Sequence, residues 1–262
     1  VNVIIVTQDA PMYLPAFLDD FLARLDGTRH TVRHVIVFPP YGKGGPLSEL
    51  RARLEHYGPL AFAIMAGHVA AGKLLALLYN VFPAVGCHSV GNVIRKYGLE
   101  PYRTPSVNAP QFVEYVRDSH IDLIISIASP QIFKEPVLAA PRKGCINYHS
   151  ALLPRYRGRQ PLFWALLNGE REVGVTVHEM DTQLDNGPIL IQERVPVEAR
   201  DSLHALYLKT TRVGPRLLAE AVEMLERGVP DRIENDAGRA TIFSFPTGED
   251  SQRFRRLGRR FF

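Results

Sequence analysis

Asp122-Leu-Ile-Ile-Ser-Ile-Ala-Ser-Pro130 is the stretch on which the fold turns. Its β-branched run over Asp122–Ile127 predicts a buried strand. Ala128-Ser129-Pro130 then changes the chain direction, because the residue before a proline is pushed out of the helical region. Downstream, Cys145–Tyr148 reads as another short strand. Upstream, Asn2–Val6 and Val32–Phe38 are apolar runs with a helical pattern over Leu14–Leu25 between them. Helical material from Leu47 to Tyr79 follows, then Val90–Tyr97 and Gln111–Asp118. Strand and helix in turn predict an α/β protein with a mostly parallel sheet flanked by helices, whose ligands bind at the carboxyl ends of the strands.

Beyond Arg157 the pattern changes. Gln160–Asn168 reads as a helix ended by Gly169, and Val173–Met180 and Ile189–Val197 read as two further strands. A long helix capped by Asp201 or Ser202 runs to about Arg227, where Gly228 and Pro230 end it. The expected organisation is one catalytic domain over residues 1–229 and a short basic C-terminal extension over 230–262. The extension carries Arg253, Arg255, Arg256, Arg259 and Arg260, is too short for an independent domain, and reads as a solvated end.

With 46% hydrophobic residues in 262, the chain can bury a sizeable core, which excludes a disordered protein. Its 31 Lys and Arg against 27 Asp and Glu leave a surplus too small for a general nucleic-acid surface, while anionic ligands still suit it. Cys87 and Cys145 have neither metal-site nor disulfide spacing, and Cys87-His88 reads as structural. A reducing, cytoplasmic setting is expected, with no metal. The opening Val-Asn-Val-Ile-Ile-Val lacks the basic start and cleavage site of a signal peptide and is expected to be the first strand. Leu60–Phe82 is nearly continuous hydrocarbon interrupted by His68 and Lys73. It is expected to be a buried or partner-facing helix rather than a bilayer span; contact with a membrane surface is left open but not favoured, and so is self-association.

Two constellations carry chemistry. In Gly144-Cys-Ile-Asn-Tyr-His-Ser-Ala-Leu-Leu-Pro-Arg-Tyr-Arg-Gly158, Asn147 and His149 stand two apart on or just after a strand, so their side chains point the same way. An amide donor beside an imidazole suits acyl transfer to an amine, which needs an oxyanion held and a proton managed. On local grounds alone Asn-x-His is weak evidence, and a capping Asn and a satisfied His are the ordinary explanation of the pair. The second constellation is Met180-Asp-Thr-Gln-Leu-Asp-Asn-Gly-Pro188, a loop between two strands. Its Asp185 could orient His149 and raise its basicity, or could be a solvated turn residue. Tyr41-Gly-Lys-Gly-Gly-Pro46 is a weaker candidate phosphate loop without Walker spacing. His178 and Met180 fit strand packing. Arg155, Tyr156 and Arg157 are candidate acceptor-binding residues, or else shape their loop, and Trp164 packs or joins them.

Taken together these segments resemble the 10-formyltetrahydrofolate-dependent formyltransferases: the methionyl-tRNA, glycinamide ribonucleotide and amino-sugar N-formyltransferase type. The resemblance is carried by the 144–158 stretch, Trp164-Ala-Leu-Leu-Asn-Gly-Glu170, Gly174-Val-Thr-Val-His178 and Asp181-x-x-x-Asp185-x-Gly187-Pro-Ile-Leu-Ile-Gln192, and runs from about Asp122 to Val197. It implies a Rossmann-like core and 10-formyltetrahydrofolate as formyl donor. It assigns Asn147 to the oxyanion site, His149 to oxyanion stabilisation and proton handling, and Asp185 to orienting His149 or relaying a proton. It also assigns Gln131, Ile132 and Phe133, with Thr182, Gln183 and Leu184, to the pterin site. Gln183 and Asn186 depart from the family's usual Gly and Thr, which puts the backbone of that loop in question.

The expected function is formylation of the primary amine of a small metabolite, with a nucleotide-linked amino sugar favoured. No glycine-rich phosphate loop follows the first strand, and the stretch after Gly228 is too short for the appended domain of the tRNA enzymes. The alternatives are a methionyl-tRNA formyltransferase-like or formyltetrahydrofolate hydrolase activity, or a non-catalytic folate-binding or interaction protein.

Overall fold

A computed structural model describes residues 1–40, 46–228 and 231–262, apart from the side chains of residues 46 and 47. Positions 41–45 of the candidate phosphate loop lie outside the described residues. The strands are β1 (Asn2–Gln8), β2 (Thr31–Phe38), β3 (Glu100–Pro101), β4 (Leu123–Ile127), β5 (Cys145–His149), β6 (Arg157–Gly158), β7 (Glu172–Glu179), β8 (Ile189–Pro196) and β9 (Ile242–Phe243). The helices are α1 (Leu14–Leu25), α2 (Pro46–Tyr57), α3 (Pro59–Leu78), α4 (Val90–Lys96), α5 (Pro110–Asp118), α6 (Glu135–Leu138), α7 (Pro161–Leu167), α8 (Leu203–Arg227) and α9 (Gly248–Arg256). Among the described residues the main sheet runs β3-β2-β1-β4-β5-β7-β8. Its first five strands are parallel, β7 pairs antiparallel with β5, and β8 pairs antiparallel with β7. The mostly parallel sheet expected from the alternation is therefore present.

Side chains alternate between the two faces of the sheet. Val3, Ile5, Leu123, Ile125, Ile127 and Ile146 meet α1, α4 and α8 on one face. Ile4, Val6, Ile124 and Cys145 meet α5 and α6 on the other. Parity along β5 then puts Asn147 and His149 on the side of Cys145, and Tyr148 on the side of α8. There Tyr148 and Phe17 press so close to α8 that a Cβ on Gly214 would lie 2.4 and 2.5 Å from their rings, so the helix can dock only with glycine at that position.

The terminal signals of α8 hold as read: the Ser202 side chain accepts from the Ala205 N–H, and Gly228 closes the helix in the left-handed conformation. Residues beyond 230 are bound into the body. β9 pairs with β6, and Phe254 and Phe261 are buried against Phe163 of α7. The backbone N–H groups of Leu203 and His204 donate to the carbonyls of Arg260 and Phe261. The arginines at 253, 256 and 260 face solvent while the aromatic residues between them anchor the segment.

α3 departs from expectation. A helix forms, but Met65 is its one buried residue, and Leu60, Leu74 and Leu77 are 76%, 59% and 67% exposed. The buried-helix reading is corrected here. Apolar composition sets the preference for leaving water but does not say what covers the surface, and α3 packs only one side onto the body.

Candidate active site

Register brings the site together. β5 pairs Asn147 with Ser126 of β4 on one side and with His178 of β7 on the other, so all three stand in a row on one face at the carboxyl end of the sheet. The loop from β7 to β8 folds back over this row. Asp181 shapes it by accepting from the Gln183 N–H at 2.8 Å and from Asn186 Nδ2 at 2.7 Å. Gly187 passes so close to β7 that a Cβ would lie 2.0 Å from the Glu179 carbonyl oxygen, and Asp185 adopts a left-handed φ of 47°. The substituted positions Gln183 and Asn186 are thus accommodated, with Asn186 recruited into the loop's own hydrogen bonds.

Asp185 sits at the centre. Its Oδ2 accepts the Gly158 N–H at 2.7 Å and lies 3.8 Å from His149 Nδ1. Its Oδ1 accepts from Asn147 Nδ2 at 3.3 Å and lies 3.6 Å from His178 Nε2. Burial opposes charge on this carboxyl. His149, His178 and the Gly158 N–H outweigh that penalty and hold its pKa well below the usual carboxylate range. His149 is buried, and its Nε2 donates to the Tyr156 carbonyl at 2.8 Å; a carbonyl only accepts, so Nδ1 is the ring atom turned to Asp185. By the same logic His178 Nδ1 donates to the Glu179 carbonyl at 2.7 Å, and its Nε2 lies 3.2 Å from Asn147 Nδ2. The two N–H groups of Asn147 are thereby turned toward His178 and Asp185.

His178 was read from the sequence as a packing residue. It is buried in β7, yet its ring reaches both Asn147 and Asp185. The signal that identifies it is the cross-strand register, which no local pattern contains. Asn235 is another missed member: its Nδ2 donates to the carbonyls of Asp185 and Gly187, at 2.9 Å each, and so fixes the loop from a position 50 residues away.

Residues 155–157, read as either acceptor-binding or loop-shaping, make internal contacts in the structure. Arg157 is 3% exposed. Its guanidinium donates to Asn186 Oδ1 at 2.7 Å and to Asn235 Oδ1 at 2.8 Å, which makes it a brace under the Asp185 loop. Tyr156 is buried and donates its hydroxyl to Glu170 at 2.7 Å; burial, and then that bond, push its pKa up to about 12. Arg155 forms a bidentate pair with the same Glu170, at 3.0 and 3.2 Å. Trp164 stacks on Phe243, with ring centroids 4.7 Å apart, and donates Nε1–H to the Ser244 carbonyl. Tyr156 and Arg157 thus turn inward, while Arg155 stays exposed on its ion pair with Glu170.

Of the expected pterin residues, Phe133 is also corrected: its ring is buried in the core with Ile124 and Cys145 and has no free face. Ile132 is 74% exposed, and its backbone is pinned by Asn108 Nδ2. Gln131 accepts from the Ser106 hydroxyl at 3.1 Å. Thr182, Gln183 and Leu184 are exposed on the opposite lip. An open cleft of about 600 Å³ lies at the carboxyl ends of β1 and β2, lined by Asp9, Val37, Ser89, Ile94 and Arg95 among others. A grouping with metal-compatible spacing among the described residues, His30 with Glu223 and Glu226, lies at the amino end of β2, the other end of the sheet.

This fold and this edge define an α/β protein with a half-buried amide, two buried imidazoles and a carboxylate converging at the strand ends. The chain belongs to the formyl transferase family, whose sequence pattern matches residues 85–222. A methionyl-tRNA formyltransferase from Trichlorobacter lovleyi is 38% identical over 133 residues, covering 51% of this chain and 42% of that protein. The chain spans about half the length of the curated relatives it matches, between 42% and 52%. Among solved structures, an N-formyltransferase from Helicobacter canadensis in complex with folinic acid and dTDP-3-aminofucose superposes with a TM-score of 0.58 at 15% identity, covering 97% of this chain and 79% of that one. A phosphoribosylglycinamide formyltransferase from Bacillus halodurans gives 0.59 at 19% identity, covering 87% and 96%. At these identities the structural likeness concerns the fold.

Proposed function

We propose that the chain transfers the formyl group of 10-formyltetrahydrofolate to a primary amine. The observation that carries this reading is the convergence of Asn147 and His149 on Asp185, with Asn147 Nδ2 at 3.3 Å and His149 Nδ1 at 3.8 Å. The folate lies between the Ile132 turn and the 182–184 lip, the two exposed walls flanking that convergence. The amine attacks the formyl carbon, and the carbonyl oxygen becomes an oxyanion that takes up an N–H of Asn147, which Asp185 shares with it. Collapse expels the folate nitrogen. One proton leaves the amine and one reaches the departing nitrogen, with His149 Nδ1 and the Asp185 carboxylate as the groups that move it. Tyr156 keeps the His149 ring oriented through Nε2.

The acceptor favoured is the amine of a nucleotide-activated amino sugar, bound in the open cleft whose lining includes Ser89 and Arg95. An arginine there suits a phosphate. The second reading, an aminoacyl-tRNA acceptor, rests on the names of the sequence relatives. Incubation of the protein with 10-formyltetrahydrofolate and a panel of amino sugar nucleotides, charged tRNA and free amino acids decides between them. Fastest product formation with an amino sugar nucleotide is expected; fastest turnover with charged tRNA overturns the sugar reading and leaves the formyl chemistry standing.

A further inference from the structure

Seven large apolar side chains on and just after α3 face solvent: Leu60, Ile64, Leu74, Leu77, Leu78, Val81 and Phe82, the last two 69% and 60% exposed. Taken together they far exceed the scattered exposed leucines of an ordinary surface. α3 is long and apolar enough to cross a bilayer, yet its packing forbids a span. Gly58 at its start lies against the Arg255 side chain, His68 in its middle packs on Phe262 and His204, and Asn92 Nδ2 donates to the Ala76 carbonyl near its end. The inner side of the helix is therefore fixed to the body along its length, and the outer side is presented sideways.

Charge distinguishes the surfaces that could cover it. Between Glu55 and Glu100 the sequence has no acidic residue, but it has Lys73, Arg95 and Lys96. Lys73 is exposed on α3, and Arg95 donates to Asn80 at the helix end, beside Val81 and Phe82. Lys96 is paired with Asp19. A twofold axis through the Lys73–Phe82 end of the helix would set Lys73 and Arg95 against their own copies. An anionic lipid surface supplies both what the hydrocarbon needs and what the cations need.

We propose that α3 and the turn through Phe82 form a membrane-surface docking face, with the helix lying in the plane of an anionic bilayer. Leu74, Leu77, Val81 and Phe82 enter the acyl boundary, and Lys73 meets the headgroups. The proposal does not depend on the identity of the formyl acceptor.

The test is co-sedimentation of the protein with vesicles of phosphatidylcholine alone and with about 30% phosphatidylglycerol. Several-fold stronger binding to the anionic vesicles is expected. Lys73→Glu should weaken that binding by about five-fold, and Leu77→Gln combined with Phe82→Gln by about ten-fold or more. Both changes lie on exposed positions, so unchanged thermal melting serves as the folding control. Absence of vesicle binding by the parent protein overturns the proposal, as does undiminished binding by the doubly substituted one. A dimer in sedimentation equilibrium that the double substitution dissociates, without vesicle binding, assigns the face to a second copy instead.

Discussion

The carboxyl ends of β5 and β7 bury charge, whereas α3 exposes hydrocarbon. At the first, Asp185, His149, His178 and Arg157 sit out of water, each held by partners at hydrogen-bonding or ion-pairing distance. At the second, Leu60, Leu77 and Val81 stand in solvent with nothing over them. Both invert the ordinary sorting of residues, and they do so in opposite senses. The buried charges are stabilised by fixed geometry, so they should be intolerant of change in both activity and stability. The exposed apolar residues contribute nothing to the folded chain by contact, so changes there should leave it intact. On the readings proposed above, the direction of inversion separates the two places: chemistry where charge is hidden, contact where hydrocarbon is not.

The largest expected effect is on the buried side. Asp185→Asn keeps the shape and much of the hydrogen bonding but removes the charge facing both imidazoles, and should lower kcat by about a hundred-fold or more in a formyl-transfer assay. Asn147→Ala should cost about a hundred- to a thousand-fold in kcat, with folate binding by fluorescence titration much less affected. Equal turnover in either variant breaks the comparison, because the buried polar cluster would then be structural only.

Arg157→Met should act mainly on stability. It strips the donors from Asn186 and Asn235 beneath the Asp185 loop, and a loss of about 2–3 kcal/mol in denaturant unfolding is expected. The pH dependence of stability follows from Asp185. A carboxyl whose pKa is depressed in the folded state contributes stability above its unfolded pKa, roughly 4, and that contribution is lost as pH falls through the lower folded value. Acid unfolding of Asp185→Asn should therefore be less steep than that of the parent below about pH 4. The smallest effect belongs to α3: Leu77→Gln with Phe82→Gln should change unfolding free energy by no more than about 0.5 kcal/mol.

Much of the frame was legible in the sequence because it is set by local rules. The apolar runs at Asn2–Val6 and Asp122–Ile127 and the Ser202 and Gly228 caps depend on residues within a few positions of one another. Period two along β5 was enough to put Asn147 and His149 on one face. What escaped was non-local. His178 joins the site through the register of β5 with β7, and Asn235 reaches the Asp185 loop from beyond α8. Arg157 was left open between ligand binding and loop shaping because a guanidinium looks the same in sequence whether it meets a phosphate or two asparagines. The exposure of α3 was hidden for a related reason: a twenty-residue, mostly apolar helix reads alike against a core, a partner or a bilayer.

The central claim is that the Asp185 cluster performs formyl transfer. Single-turnover conversion of 10-formyltetrahydrofolate in the presence of an amino sugar nucleotide, followed by absorbance for the parent protein and Asp185→Asn side by side, tests it most directly. The account predicts rapid formation of tetrahydrofolate with the parent and about a hundred-fold or greater slowing in the variant, at unchanged folate binding. Comparable rates in the two proteins would contradict it.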